Sequence, residues 1–201
     1  GEDRSAQIEA ARKIWSEGFV ADAIFDYLED ACVHDVSEQK NSALLAREDM
    51  AKWQASYEDT LTYEYHGWTG HKTHAWSQGP VFLQALAILK HFDLAAMDPM
   101  GASFTHTVIE AMKLAYADRE LYLADSDFVP VPAAGLIAPD YLARRGALIL
   151  PGSTLAEVKP GTPEGADLAL ADGDEPEEHG TSHIAVVDDA GTMISYTSTI
   201  E

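Results

Sequence analysis

The chain has a single cysteine, Cys32, in 201 residues. One thiol excludes an internal disulfide framework, and Cys32 reads as a buried spectator. Basic residues are scarce too: 13 Lys and Arg stand against 34 Asp and Glu, for a formal charge of -21. Nucleic acids and anionic membrane surfaces capture proteins through clustered Lys and Arg, so the balance argues against both as partners. The acidity itself reads as a solvated surface. No apolar run approaches the roughly 18 to 20 residues of a membrane span, and the first residues form no basic and apolar signal segment. Internal repeats, a glycine-rich phosphate loop and a specific Ser-His-Asp ordering are all missing. His71 with His74, and His179 with His183, come nearest to a metal-ligand pair. Ligands four residues apart share a helical face, and Gly180 with β-branched Thr181 disfavours a helix there. Neither a metal nor a cofactor is expected.

Hydrophobic residues make up 46% of the chain, enough at this length for one core or a large part of one. Ser5 to Glu17 carries Ile8, Ala11 and Trp15 at helical spacing and is stopped by Gly18, with a second helix expected from about Asp22. Ala46 to Gln54 reads as a short helix. Leu61, Tyr63 and Tyr65 alternate with polar residues as a strand, and Gly67-Trp68-Thr69-Gly70 reads as the turn after it. Pro80 opens a helix running to about Phe92 whose near-continuous apolar character predicts burial. Phe104 to Leu123 predicts a longer helix packed beside it, through Phe104, Val108, Ala111, Met112, Ala115 and Tyr116. Asp118 and Arg119 late in that helix, with Asp125 beyond it, read as structural, because buried charges persist only when paired and hydrogen-bonded. Loss of Arg119 is expected to destabilise the fold without retuning specificity. From Pro151 to Gly180 the chain is rich in Pro, Gly, Ala and acids, which predicts a mobile segment.

That segment ends at His179-Gly180-Thr181-Ser182-His183, after which two apolar, β-branched stretches follow, His183 to Val187 and Met193 to Thr197. Asp188-Asp189-Ala190-Gly191 between them is a strong turn signal and predicts a hairpin. With a four-residue loop, Val187 faces Thr192, Thr181 falls opposite Ser198, and Thr199 lies within one residue of Thr181. A cut between Gly180 and Thr181 would make Thr181 amino-terminal. Its free α-amine, with a pKa of about 7.7 to 8.0, is a base suited to activating its own hydroxyl. Gly180, lacking a Cβ, lets that hydroxyl approach the preceding carbonyl. A hydroxyl from Thr199 could orient it through a hydrogen bond. These residues taken alone also fit a plain Gly-Thr-Ser turn feeding a strand of ordinary β-formers.

Further blocks stand upstream: Leu44-Leu45-Ala46-Arg47-Glu48-Asp49-Met50-Ala51-Lys52-Trp53; Trp76-Ser77-Gln78-Gly79-Pro80 leading into Leu86-Ala87-Ile88-Leu89 and Phe92-Asp93-Leu94; Glu110 to Arg119; and Asp125 to Val129. With Thr181-Ser182-His183 and Thr197-Ser198-Thr199, they resemble the gamma-glutamyltranspeptidase family of N-terminal-nucleophile hydrolases in order and spacing. The resemblance implies an α+β fold, part of an αββα sandwich with helices packed on an antiparallel sheet. Residues 1–150 then resemble the later large subunit, 151–180 an acidic flexible linker before the processing site, and 181–201 the start of the small subunit with its nucleophile hairpin.

The resemblance also implies that Thr181 is the nucleophile freed by self-cleavage at Gly180–Thr181, supported by the Thr199 hydroxyl. The implied partners are a gamma-glutamyl small-molecule donor such as glutathione and an amino acid, peptide or water acceptor, with no cofactor. Where the family commonly carries an asparagine touching the donor's amino-acid end, this chain has Glu201. A carboxylate there accepts hydrogen bonds from a substrate ammonium and repels a substrate carboxylate. The family's serine-rich stretch is likewise replaced by Trp76-Ser77-Gln78-Gly79-Pro80. These departures keep an amide acylase of the cephalosporin or glutaryl type as an alternative. A non-catalytic relative is a third reading, opposed by the intact Thr181 and Thr199. The family's oxyanion-hole glycines would fall beyond Glu201 and its substrate-gripping arginine before Gly1, so the chain reads as a fragment that alone turns over donors poorly or not at all. An exposed sheet edge would then invite the missing remainder of its own subunits, or another copy in an oligomer. Periplasm and cytoplasm of a bacterium both stay open as its location.

Overall fold

Apolar residues three and four positions apart make helices wherever one face can be covered. The computed structural model describes residues 3–34, 38–166 and 182–198; its first helices are α1 (Arg4–Ser16), on which no residue is buried and the predicted face residues Ile8 and Trp15 are exposed, and α2 (Phe19–Asp30), which buries Ala21 and Phe25. Helix α2 starts three residues before Asp22, because Gly18 accepts the Asp22 N–H at 2.9 Å. Asp22 thereby sits in the first turn, where negative charge is favoured. Strand β1 (Cys32–His34) pairs antiparallel with β2 (Lys40–Ser42), and every residue of this ribbon is exposed. Cys32 is therefore an exposed thiol rather than a buried one. Helix α3 (Arg47–Lys52) lies inside its expected span, with the Asp49 carboxylate accepting the Ala46 N–H at 2.8 Å. Arg47 ties α3 to α2 by ion pairs to Asp22 (2.7 Å) and Asp26 (3.3 Å), its guanidinium lying over the Phe25 ring.

The chain divides into two units, one of Gly1–Tyr57 with Pro176–Glu201 and the other of Glu58–Glu175. The second opens with an antiparallel hairpin of β3 (Leu61–Tyr65) and β4 (Trp68–Lys72), in which Tyr65 pairs with Trp68. Its turn is the two residues His66 and Gly67, at φ of 48° and 87°. Two positive φ values match the strand twist, so Trp68, Thr69 and Gly70 belong to the strand and not to the turn the sequence predicts. Along β3, Leu61 is buried and Tyr63 packs on the core, as the alternation requires.

Helix α4 (Gly79–Leu89) has Pro80 in its first turn, where a missing N–H costs nothing, and it is buried around most of its circumference. It packs along α5 (Ala102–Tyr122), α7 (Pro139–Gly146) and the β3–β4 hairpin, with the single turn α6 (Ala133–Leu136) alongside. Ala87, Ile88, Leu89, Ala111, Leu114, Tyr141, Leu142 and Ile149 form the core they share. The buried face of α5 is Thr107, Glu110, Ala111, Leu114, Ala115, Asp118 and Tyr122. Met112 and Tyr116, expected inside, are exposed. The helix is rotated from the apolar reading because two carboxylates on it find buried partners.

The last described elements are β5 (Ser182–Val187) and β6 (Met193–Ser198), an antiparallel hairpin in the first unit. The fold class is α+β, with three two-stranded antiparallel sheets among the described residues. No helix among those residues is long and apolar enough to cross a membrane.

Candidate active site

The hairpin that carries the predicted nucleophile is closed by a three-residue loop, Asp189 to Gly191. The Asp188 N–H donates to the Thr192 carbonyl and the Gly191 N–H to the Asp188 carbonyl, both at 3.0 Å. Gly191 sits at φ 81°, the left-handed position such a loop reserves for glycine. Asp188 Oδ1 accepts the N–H groups of Thr192 (2.8 Å) and Ala190 (3.0 Å). The Thr192 bond, with those of the turn, holds the Asp188 carboxyl below the usual carboxylate range.

This loop corrects the predicted register by one residue. Val187 pairs with Met193, not Thr192, and the pairing runs to Ser182 opposite Ser198. A four-residue loop was the wrong count because Asp188 and Thr192 themselves bond across the strands. Gly180, Thr181, Thr199 and Glu201 lie outside the described residues. Thr181 and Thr199 are, by sequence, the residues that flank the last described pair on each strand. His183 falls in β5, and His179 also lies outside the described residues. His71 is in β4, where its Nδ1 lies 3.0 Å from the Thr60 hydroxyl. Among the described residues, no group of three or more His, Cys, Asp or Glu is placed to hold a metal ion.

The buried charges form a second polar constellation, one the sequence reading placed only in part. Asp118 is paired not with its neighbour Arg119 but with Arg145 of α7, whose Nη2 lies 3.0 Å from Oδ1. Gly161 N–H donates to the same oxygen at 2.8 Å, while Oδ2 accepts from Tyr141 Oη at 2.6 Å and Gln84 Nε2 at 3.0 Å. Both oxygens are thus satisfied, as burial of a carboxylate demands. Burial, and then the bond to Asp118, push the Tyr141 hydroxyl well above the ordinary tyrosine range, so it stays a donor. Gln84, Tyr141 and Arg145 escaped the sequence reading, since each lies more than 20 residues from Asp118 and belongs to no local motif. The one available signal was Gln84, the sole polar side chain inside an otherwise apolar helix.

The same helix face captures the chain that follows α7. Glu110 Oε2 accepts the Leu155 N–H and Lys113 Nζ donates to the Leu155 carbonyl, each at 3.0 Å. Arg145 Nη1 donates to the Lys159 carbonyl and Tyr122 Oη to the Gly161 carbonyl. Residues 155–161, inside the Pro151 to Gly180 stretch expected to be mobile, are bonded to α5 and α7. A Cβ on Gly161 would meet the Tyr141 ring and hydroxyl, so only glycine fits there.

Burial opposes ionisation of Glu110, but the Lys113 ammonium and the Leu155 N–H outweigh it and hold its carboxyl below the usual range. A carboxyl depressed on folding adds stability above its unfolded pKa of about 4.3, and that stability is lost as pH falls through the lower folded value. Glu110→Gln is therefore expected to lower Tm at pH 7 and to flatten the fall of Tm below about pH 4. Calorimetry from pH 3 to 7 checks this, and identical acid limbs for the two proteins would count against it.

An open concavity of about 510 Å³ lies by the β3–β4 turn, lined by Tyr65, His66, Lys90 and residues 91–95. It contains none of the residues predicted from the sequence to act in catalysis.

Comparison with known proteins places this geometry. The chain superposes on the solved gamma-glutamyltranspeptidase of Helicobacter pylori with a TM-score of 0.68 and 25% identity, over 79% of this chain and 44% of that one. The solved structure of LmbA2991HD gives 0.77 and 34%, over 96% of this chain and 34% of that one. The fold is thus part of an N-terminal-nucleophile hydrolase. Residues 7–201 match the family model for gamma-glutamyltranspeptidase, and the chain belongs to that family. It is 33% identical over 164 residues to the glutathione hydrolase proenzyme of Bacillus subtilis (strain 168), covering 78% of this chain and 28% of that protein. It is 30% identical over 162 residues to the acylase ACY 1 proenzyme of Pseudomonas sp. (strain V22), covering 80% and 27%. The chain therefore spans little more than a quarter of the length of these curated relatives.

Proposed function

We propose that the full-length protein is a self-cleaving gamma-glutamyl hydrolase or transpeptidase in which Thr181 is the nucleophile. The observation that carries this reading is the hairpin register. The described pairing ends at Ser182 opposite Ser198, and Thr181 and Thr199 are the next residues of the sequence on either side of that pair, which supports a reading in which the two hydroxyls act together. In maturation, the Thr181 hydroxyl attacks the Gly180 carbonyl and the peptide C–N bond breaks. The nitrogen takes up a proton to become the α-amine. Water then cleaves the resulting ester, leaving a carboxylate on Gly180 and a free hydroxyl on Thr181.

In turnover that hydroxyl attacks the gamma-glutamyl amide of a glutathione-like donor, its proton passing to the α-amine and then to the departing amine. Water, an amino acid or a peptide releases the glutamyl group from Thr181. The Thr199 hydroxyl orients the nucleophile, and Glu201 meets the donor's ammonium. The kinship with the ACY 1 acylase supports a second reading, an amide acylase on the same residues, and Glu201 in place of the family's asparagine favours keeping it.

Intact mass of the full-length protein after incubation tests the reading. Two fragments meeting at Gly180 and Thr181 are expected, and a folded chain that stays whole would refute it. Kinetics with gamma-glutamyl against glutaryl amides then separate the two donor classes.

A further inference from the structure

We propose that α5 and α7 form a peptide-binding site that reads main chain at two points, and that the protein fills it in cis with residues 154–162 as a detachable clasp. Those residues have no helix or strand of their own and make no backbone–backbone hydrogen bond to any described residue. Peptide groups taken out of water need other partners, and helix side chains supply them. Glu110 Oε2 accepts the Leu155 N–H and Lys113 Nζ donates to the Leu155 carbonyl, both at 3.0 Å, with Lys113 held in place by Glu110 Oε1 at 2.9 Å. About two turns further along α5 the arrangement recurs. Asp118 Oδ1 accepts the Gly161 N–H at 2.8 Å, and Tyr122 Oη donates to the Gly161 carbonyl at 2.7 Å. Arg145 Nη1 of α7 adds a bond to the Lys159 carbonyl at 3.0 Å.

An acceptor and a donor one turn apart on a helix thus grip both polar groups of one residue, as a sheet edge grips a peptide added to it. All five bonds to the clasp end on main-chain atoms, so they fix the path of the backbone, and space alone selects the side chains. Leu155 and Val158 are half-buried against the core, while Ala156, Glu157, Lys159 and Pro160 are exposed. At the second grip a Cβ on Gly161 would meet the Tyr141 ring and hydroxyl. The ligand class is therefore a peptide with apolar residues three apart and a glycine three further on. Every buried member of the shared core lies before residue 150. When the clasp leaves, Asp118 keeps Arg145, Tyr141 and Gln84, and Glu110 keeps Lys113. The helices can stay packed without it.

The test uses the full-length protein carrying Leu155→Pro and Gly161→Val, which remove the first gripped N–H and add a Cβ at the second grip. Both changes fall on the clasp, so every groove residue stays as it is. A fluorescein-labelled synthetic peptide of residues 150–166 is titrated against the parent and the double variant by fluorescence anisotropy. In the parent the tethered clasp competes at an effective concentration on the order of millimolar. The peptide is therefore expected to bind the double variant at least about tenfold more tightly than the parent. Adding Lys113→Ala and Tyr122→Phe to the double variant is expected to weaken binding about tenfold, the scale of two lost hydrogen bonds. A peptide carrying Gly161→Val is expected to bind neither protein. Hydrogen exchange on the parent reads the site with no substitution: the Leu155 and Gly161 amides are expected to be protected, and to be released at lower urea than the amides of α4.

A double variant that keeps its core, by near-ultraviolet circular dichroism, yet binds the peptide no better than the parent overturns the proposal. So does a valine peptide that binds as well as the glycine one, since binding then ignores the second grip. A double variant that does not fold, or clasp amides that exchange only together with those of α4, overturns it as well, because the segment is then part of the core and not detachable.

Discussion

Full-length protein carrying Thr181→Ala is expected to remain a single chain and to lose donor turnover by about a millionfold, the scale seen when an activated hydroxyl nucleophile is deleted. Both losses have one origin. The side chain that attacks the Gly180 carbonyl in maturation is the one that attacks the donor amide afterwards, and alanine supplies no oxygen for either step. The α-amine that would act as base exists only once the Gly180–Thr181 bond has broken, so an uncut chain is deprived of nucleophile and base together. Thr181→Ser separates chemistry from packing: it keeps the hydroxyl, so cleavage at the same bond is expected, at a reduced rate. Mass spectrometry and a donor assay on the three proteins decide the matter. A Thr181→Ala chain cut between residues 180 and 181 would move the nucleophile elsewhere.

The second large effect concerns stability. Asp118→Ala in the full-length protein is expected to cost about 3 to 5 kcal/mol, because it leaves the Arg145 guanidinium buried without its counter-charge. The side chains of Asp118 and Arg145 are only 1% and 6% exposed, so solvent cannot take the carboxylate's place. Tyr141, Gln84 and the Gly161 N–H lose their acceptor at the same time. The double variant Asp118→Ala with Arg145→Ala is expected to cost less than the two single losses added, by up to about 3 kcal/mol, since the second change removes the stranded charge. Arg119→Ala is expected to cost less than Asp118→Ala. Its side chain is 15% exposed, against 1% for Asp118, so water reaches the site it would vacate. Urea unfolding of the parent, the three single variants and the double variant provides the comparison, and equal costs for Arg119→Ala and Asp118→Ala would overturn this ranking.

Much of the architecture could be read from local pattern. Helices α1, α4 and α5 follow apolar spacing and the placement of Gly18 and Pro80. The β5–β6 hairpin follows from two β-branched stretches around Asp188 to Gly191, and β3 from its alternation. The family follows from short blocks of adjacent residues, each of which stays recognisable wherever the chain puts it. All of these signals extend over no more than about six helical turns or one strand, within which neighbours in sequence are neighbours in space.

What required the tertiary structure was every choice between partners of similar chemistry. Arg119 adjoins Asp118 in sequence, but it is Arg145, 26 residues beyond Arg119, that crosses from α7 to reach it. Met112 reads as core from its spacing, yet it is exposed while Glu110 is buried, because a buried carboxylate with an ammonium and an N–H beside it can displace an apolar side chain that has no such bonds to make. Residues 155–161 looked unstructured because their backbone bonds go to side chains of distant helices rather than to a neighbouring strand. The hairpin register turned on one residue, since three- and four-residue loops share the same turn-forming composition and differ only in which carbonyl Asp188 meets. Composition and periodicity thus determined which elements form and to which family the chain belongs. Which side chain answers each buried charge, and which residues stand opposite one another, depends on contacts between distant segments, and only the folded chain decides them.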